Sequence, residues 1–187
     1  MQRIPKKFFT EKEYLEFERN SDTKHEFYKG EIFDLAGASY NHGIINFNIT
    51  GILHKKLSKN CKAISSDLKV FIKSNTLFTY PDISIICDKT EFLDNKKDTI
   101  TNPKVIFEIL SPSTEDYDKN QKFELYKGLN SLEEYILIYQ NEFKTESFFK
   151  SENWQKTGYE GLGADLKIKS LGLELRLKEI YDGIEIK

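Results

Sequence analysis

Two carboxylates stand in apolar surroundings where a charge is expensive. Glu108 sits in the middle of Lys104-Val-Ile-Phe-Glu-Ile-Leu110, a run bounded by Asn102-Pro103 and Ser111-Pro112. Such a run reads as a strand covered on both faces. An unpaired carboxylate taken from water costs several kcal/mol, so it must find a cation, accept hydrogen bonds or take up a proton. Asp82 heads a second run, Pro81-Asp-Ile-Ser-Ile-Ile-Cys87. Strand alternation puts Asp82, Ser84 and Ile86 on one face, and Ile106, Glu108 and Leu110 on one face. If the two strands are neighbours with these faces coincident, Asp82 and Glu108 meet. Two carboxylates forced together demand a proton or a cation between them. A hard divalent ion such as Mg²⁺ takes one or two carboxylates and keeps several waters, which it can activate. Beyond the Ser111–Glu115 loop, Asp118, Lys122 and Tyr126 recur at i, i+4 and i+8, on one side of an expected helix. Lys122 can then reach the place beside the metal and offer positive charge to a phosphate. Asp118–Lys122 also reads simply as a helix ion pair, and Tyr126 as core.

These residues need elements to position them. Thr10-Glu-Lys-Glu13 is a capping box, which predicts a short helix to about Asn20. Lys29-Gly30 breaks His25 to Ala36 into a hairpin. Ser39 caps a long helix to about Lys59, with Ile45, Ile49, Ile52, Leu53 and Leu57 as its apolar stripe and lysines at its end. Strands are expected at Ala63–Ser66, Leu68–Ile72, Pro81–Cys87 and Lys104–Leu110, with a polar loop from Asp88 to Asn102. The next helix, Asp116 to Lys127, is expected to stop at Gly128 as its C′ residue. Glu134–Tyr139 reads as a buried strand. Phe143–Phe149, Trp154–Tyr159 and Asp165–Leu177 read as closing antiparallel strands. Strands set between helices predict an α/β or α+β layer fold, and the length suits one domain over residues 1–187.

Composition bounds the function. A formal net charge of −2, with 31% charged residues, argues against a strong non-specific nucleic-acid binder. Cys61 and Cys87 lie far apart, with no zinc spacing and no expected disulfide framework, so a reducing cytoplasm is the default. Met1 to Phe17 lacks the apolar core of a signal peptide, and no run is long enough to span a membrane. Arg3, Arg19 and Arg176 are the only arginines, so an arginine partner for Glu108 is scarce. Ser111 and Ser113 lack a nucleophile elbow and read as turn and capping residues. His25 and His54 are weaker site candidates than His42.

"YPDISIICD", "NPKVIFEILSPSTEDYDKNQKFELYKG" and "EEYILIY" together resemble the Uma-type family of proposed bacterial endonucleases, within the PD-(D/E)xK superfamily. The resemblance covers roughly Thr10 to Tyr139 and includes "HEFYKGEI" and "SYNHGIIN". It implies a restriction-endonuclease-like fold: a mixed central β-sheet flanked by helices, with an N-terminal hairpin and a β-rich tail. Pro81-Asp82 matches the PD element, making Asp82 a metal ligand, and Glu108 matches the next acid. The position of the superfamily lysine holds Leu110, and Lys122 on the following helix matches the displaced lysine. Glu31 matches an acid ahead of the core, His42 a supporting histidine, and the backbone carbonyl of Ile109 a further metal ligand. The implied reaction is hydrolysis of DNA phosphodiester bonds with Mg²⁺ or Mn²⁺. A homodimer is expected by analogy, since two centres cut two strands. An inactive nuclease-fold module binding DNA or protein, and an RNA-cutting or repair enzyme on the same scaffold, stay open.

Overall fold

The protein's structure is a computed structural model that describes residues 8–35, 37–112 and 114–186. Ala36 at the end of the expected hairpin, Ser113 and the stretch Met1 to Lys7 lie outside the described residues. Helix α1 (Glu11–Arg19) begins as expected: the Thr10 side chain accepts from the Glu13 N–H and Glu13 answers the Thr10 N–H. The hairpin β1 (His25–Tyr28) and β2 (Glu31–Asp34) follows, then α2 (Tyr40–Lys56), whose first turn is capped by Ser39 through the His42 N–H. Next come β3 (Cys61–Ser65), β4 (Lys69–Ile72), β5 (Leu77–Thr79), β6 (Ile83–Cys87), β7 (Thr99–Ile100) and β8 (Val105–Leu110).

The expected helix after β8 is interrupted. It runs as α3 (Glu115–Tyr117), a π-helical turn (Asp118–Lys122) and α4 (Phe123–Tyr126). Single π-turns inside helices frequently mark functional positions. Strands β9 (Glu134–Tyr139), β10 (Lys144–Phe149), β11 (Gln155–Glu160), β12 (Asp165–Ile168) and β13 (Leu173–Arg176) precede the last turn, α5 (Leu177–Ile180).

The strands form two larger sheets and a ribbon. The six-stranded sheet has the order β11-β10-β9-β8-β6-β3, and β8–β9 is its parallel pair. The expected hairpin is the edge of a five-stranded sheet, β2-β1-β5-β4-β7. Two of its members, β5 and β7, carried no strand signal strong enough to be read from the sequence. β12 and β13 pair as a separate ribbon. Strand β8 is buried along its whole length, as its apolar run requires. Val105, Phe107 and Ile109 face a core built with Ile45, Ile49 and Leu53 of α2. Ile106 and Leu110 face the other way, onto Phe123 and Tyr126 of α4 and Val70 and Ile72 of the smaller sheet. Glu108 therefore points into the layer between the two sheets. Among the described residues no helix is long and apolar enough to cross a membrane.

Two expectations are corrected. Cys61 and Cys87 are not isolated: β3 and β6 pair antiparallel with these two residues in register, and they form a disulfide with Cα atoms 3.9 Å apart. Their separation of 26 residues hides a contact that strand pairing creates. The cysteine pattern thus no longer argues for a reducing compartment. Gly128 ends its helix, but it is absent from the glycines with positive φ. A Cβ there would lie 2.2 Å from Ser74 Oγ and 2.7 Å from Asn75 Nδ2. Glycine leaves room for the side chains of a turn about fifty residues earlier in the chain, where Asn75 Nδ2 donates to the Leu125 carbonyl at 2.8 Å.

Candidate active site

Strands β6 and β8 are antiparallel neighbours with Ile83 opposite Phe107, which carries Asp82 to the level of Glu108. The parity expected from the sequence is therefore met. Asp82 is fixed by both oxygens: Oδ2 accepts the Ile109 backbone N–H at 2.7 Å, and Oδ1 lies 3.1 Å from His42 Nε2. His42 comes from the first turn of α2. Burial works against its charge, but the hydrogen bond and field of Asp82 outweigh this and raise its pKa.

Glu108, 4% exposed, is met by the π-turn. Lys122 Nζ lies 3.0 Å from Glu108 Oε1, and Tyr126 Oη donates to the same oxygen at 2.7 Å. Asp118 Oδ1 stands 3.5 Å from Lys122 Nζ. The i, i+4, i+8 side of this helix thus faces Glu108 as the spacing predicts. Burial pushes the Glu108 carboxyl well up from the ordinary range, against the pull of Lys122, and the nearby Asp118 and Asp82 push the same way. Burial also raises Asp118. Burial disfavours charge on Lys122 too, yet Glu108, Glu26, Tyr126 and Asp118 together hold its ammonium protonated. Acid exceeds base here: Glu108, Glu26 and Asp118 all stand around the one ammonium of Lys122.

Part of that excess was not read from the sequence. Glu26 of β1, 1% exposed, reaches Lys122 Nζ at 3.4 Å and accepts from the Thr79 hydroxyl. Glu31, the acid expected ahead of the core, opens β2 opposite Tyr28 and does not line the cleft. Glu26 is the acid of this hairpin that reaches Lys122. The sequence showed it only as a glutamate inside a short strand. Gln140, at the end of β9, was also missed. Its Nε2 donates to the Leu110 carbonyl at 2.8 Å, and its Oε1 accepts from the capping hydroxyl of Ser39. It ties the start of α2 to the end of β8. His25 belongs elsewhere: its Nδ1 is 2.8 Å from Glu18 Oε2, and Glu18 in turn holds the Tyr80 hydroxyl at 2.6 Å, just ahead of Pro81-Asp82.

A cleft of about 900 Å³ opens over this cluster, with His42, Asp82, Glu108, Ile109, Asp118 and Lys122 in its wall. Tyr126 and Glu26 stand behind them. Ser111 remains a turn residue, its hydroxyl 2.9 Å from that of Thr114. Among the described residues no group of three or more His, Cys, Asp or Glu side chains forms a ready-made metal cage. The oxygens that could hold an ion are instead those of the Asp82 and Glu108 side chains in the cleft wall, with the Ile109 carbonyl that the resemblance implies. That composition suits a Mg²⁺-like ion that keeps several waters, and does not suit zinc.

A family model, Uma2, described as "Putative restriction endonuclease", matches residues 11–178. The uncharacterized protein sll1609 of Synechocystis sp. is 35% identical over 164 residues, spanning 86% of this chain and 93% of its own. A second uncharacterized protein of that organism, slr1290, is 33% identical over 177 residues, spanning 92% and 90%. Among solved structures, a putative nuclease belonging to DUF820 from Anabaena variabilis superposes with a TM-score of 0.71 at 17% identity, over 90% of this chain and 95% of that one. At that identity the likeness speaks for the fold, which is the restriction-endonuclease-like mixed α+β architecture expected from the sequence.

Proposed function

The chain belongs to the Uma2 family of nuclease-like proteins, and from that premise we propose that it hydrolyses phosphodiester bonds in DNA with the help of Mg²⁺ or Mn²⁺. Asp82, Glu108 and the backbone carbonyl of Ile109 would hold the ion. When bound, such an ion lowers the pKa of water and offsets the charge of the scissile phosphate. The remaining work falls to the chain's own groups. His42 and the Ile109 N–H fix the two oxygens of Asp82. Tyr126 orients Glu108 by donating to Oε1. Lys122 stays protonated among Glu108, Glu26 and Asp118, and offers a fixed positive charge to the phosphate as negative charge grows on it. Preorganised charge of this kind is worth most in a site shielded from water.

The observation that carries the reading is the convergence of Asp82 and Glu108 from neighbouring strands with Lys122 set 3.0 Å from Glu108. Nicking of supercoiled plasmid tests it, with Mg²⁺, Mn²⁺ or chelator. Cleavage should require the ion and fall by about 10²–10³-fold in Lys122→Met. Asp82→Asn should abolish Mn²⁺ binding in calorimetry. A wild type that binds no divalent ion and cuts no nucleic acid would refute the proposal. It would favour a non-enzymatic nuclease-fold module, a reading supported by how fully Asp82 and Lys122 are engaged within the chain itself.

A further inference from the structure

The side of helix α2 that meets solvent carries no charge over about four turns and projects two aromatic rings. Ile45, Ile49 and Leu53 point inward. Tyr40, Gly43, Phe47, Thr50, Gly51 and His54 share the opposite face and are all exposed. Tyr40 and Phe47 are each 76% exposed. From Tyr40 to His54 there is no Asp, Glu, Lys or Arg, in a chain with 31% charged residues. Exposed apolar groups gathered on one surface commonly mark an interaction site.

The two glycines have no reason within the chain. Glycine weakens a helix relative to alanine, and a Cβ at Gly43 or Gly51 would meet nothing within 4 Å. Each stands four residues from Phe47, one turn before it and one turn after it. A projecting ring thus lies between two recesses on a single face. Knob and hole on the same patch are what a self-complementary two-fold contact needs.

We infer that this face is covered by a second copy of the chain. The α2 helices pair antiparallel about a two-fold axis, and Phe47 of each copy seats over a glycine of the other. The exposed rings supply part of the area a pair needs. A large aromatic side chain offers about 150–250 Å², so the four exposed rings would cover on the order of 500–700 Å², toward the roughly 1,200–2,000 Å² of a stable interface. The flanking surface supplies more. A groove of about 640 Å³ beside Phe47 carries Lys55, Lys56, Arg176 and Lys178 together with Glu179 and Asp182. Both signs on one patch let each copy's cations meet the other's acids. A polyanion would find no Lys or Arg along Tyr40–His54. Tyr40 also lines the cleft, so the interface borders the candidate site without using its carboxylates.

Light scattering and sedimentation of the full chain across a concentration series test this. The expected mass is twice the 21.9 kDa of one chain. Phe47→Glu and Gly51→Leu should each weaken association at least tenfold, and Phe47→Leu less. Gly51→Leu strengthens the helix itself, so a monomeric Gly51→Leu that melts no lower than wild type at high dilution separates lost pairing from lost folding. A wild type that stays monomeric overturns the inference, as does a dimer that both variants leave intact. A monomer whose DNA affinity falls in Phe47→Glu would assign the face to nucleic acid and also overturn it. The measurement does not depend on nuclease activity: an inactive dimer sensitive to these variants leaves the pairing standing and removes only the proposed reaction.

Discussion

Among the described residues Lys122 is the one lysine facing Glu26, Glu108 and Asp118, at 3.4, 3.0 and 3.5 Å. Lys122→Met keeps most of the stem's bulk and deletes the charge. Removing one partner of a buried ion pair costs about 3–5 kcal/mol, because the other charge is left buried without compensation. A domain of this kind holds about 5–15 kcal/mol in all, and each kcal/mol moves the melting temperature by about 2–4 °C at this size. In chelator, Lys122→Met should therefore melt roughly 6–20 °C lower. A second substitution gives the sharper result. Glu26→Gln keeps an oxygen to accept from Thr79 while removing one of the stranded charges. The double variant Lys122→Met/Glu26→Gln should be more stable than Lys122→Met alone, with a coupling of about 0.5–3 kcal/mol. pH supplies an independent readout. The Glu108 and Asp118 carboxyls are already raised by burial, and losing Lys122 raises them further. The folded variant then binds more protons than the unfolded chain between the unfolded and folded pKa values. Its stability falls as pH rises through that window and is greatest below it. Urea denaturation of the four proteins at mildly acidic and mildly alkaline pH measures all of this. Strict additivity of the two substitutions, with no added pH dependence in Lys122→Met, would refute the idea of one electrostatic cluster.

Reduction of Cys61–Cys87 should lower stability by about 3 kcal/mol on a chain-entropy estimate for its loop; melting with and without dithiothreitol checks this, and Cys61→Ser should show no response to the reductant. Gly128→Ala should cost about 1–3 kcal/mol by overpacking against Ser74 and Asn75, with part of the loss recovered in a Ser74→Gly background by urea denaturation. The Arg19 guanidinium holds Asp98 far below the ordinary carboxylate range, although partial burial opposes this. A depressed acid stabilises the fold above its unfolded pKa, and that contribution is lost as pH falls through the folded value. The stability gap between wild type and Asp98→Asn should therefore be constant near neutrality and shrink below about pH 4.

What could be read from the sequence was local or periodic. Strand parity assigned Asp82 and Glu108 one face each, and their meeting needed the pairing of β6 with β8. Asp118, Lys122 and Tyr126 were placed by helical spacing, and the intervening π-turn did not remove them from Glu108. The capping hydroxyls of Thr10 and Ser39 announced their helices within a few residues. What stayed hidden depends on pairing between distant segments. Glu26 becomes a site residue because β1 pairs with β5, setting Phe27 opposite Phe78 and bringing Thr79 to Glu26. β5 is three residues long and has no pattern to announce it. Cys61 meets Cys87 through strand register. Gly128 advertised a helix stop and stands just past the C-cap Lys127, but the packing of Ser74 and Asn75 on it comes from a distant turn.

Leu110 occupies the strand position where a lysine would ordinarily project, and here it is 2% exposed and packed with the α4 side of the core. On the proposed reading the ammonium comes from the following helix, and this strand position is ordinary hydrocarbon. The position of Lys122 depends on how that helix docks and on Glu26 from the smaller sheet, so substitutions in a peripheral hairpin would detune the proposed chemistry without touching it. A motif that seeks its base two residues after the acid will pass over any chain that has made the same exchange.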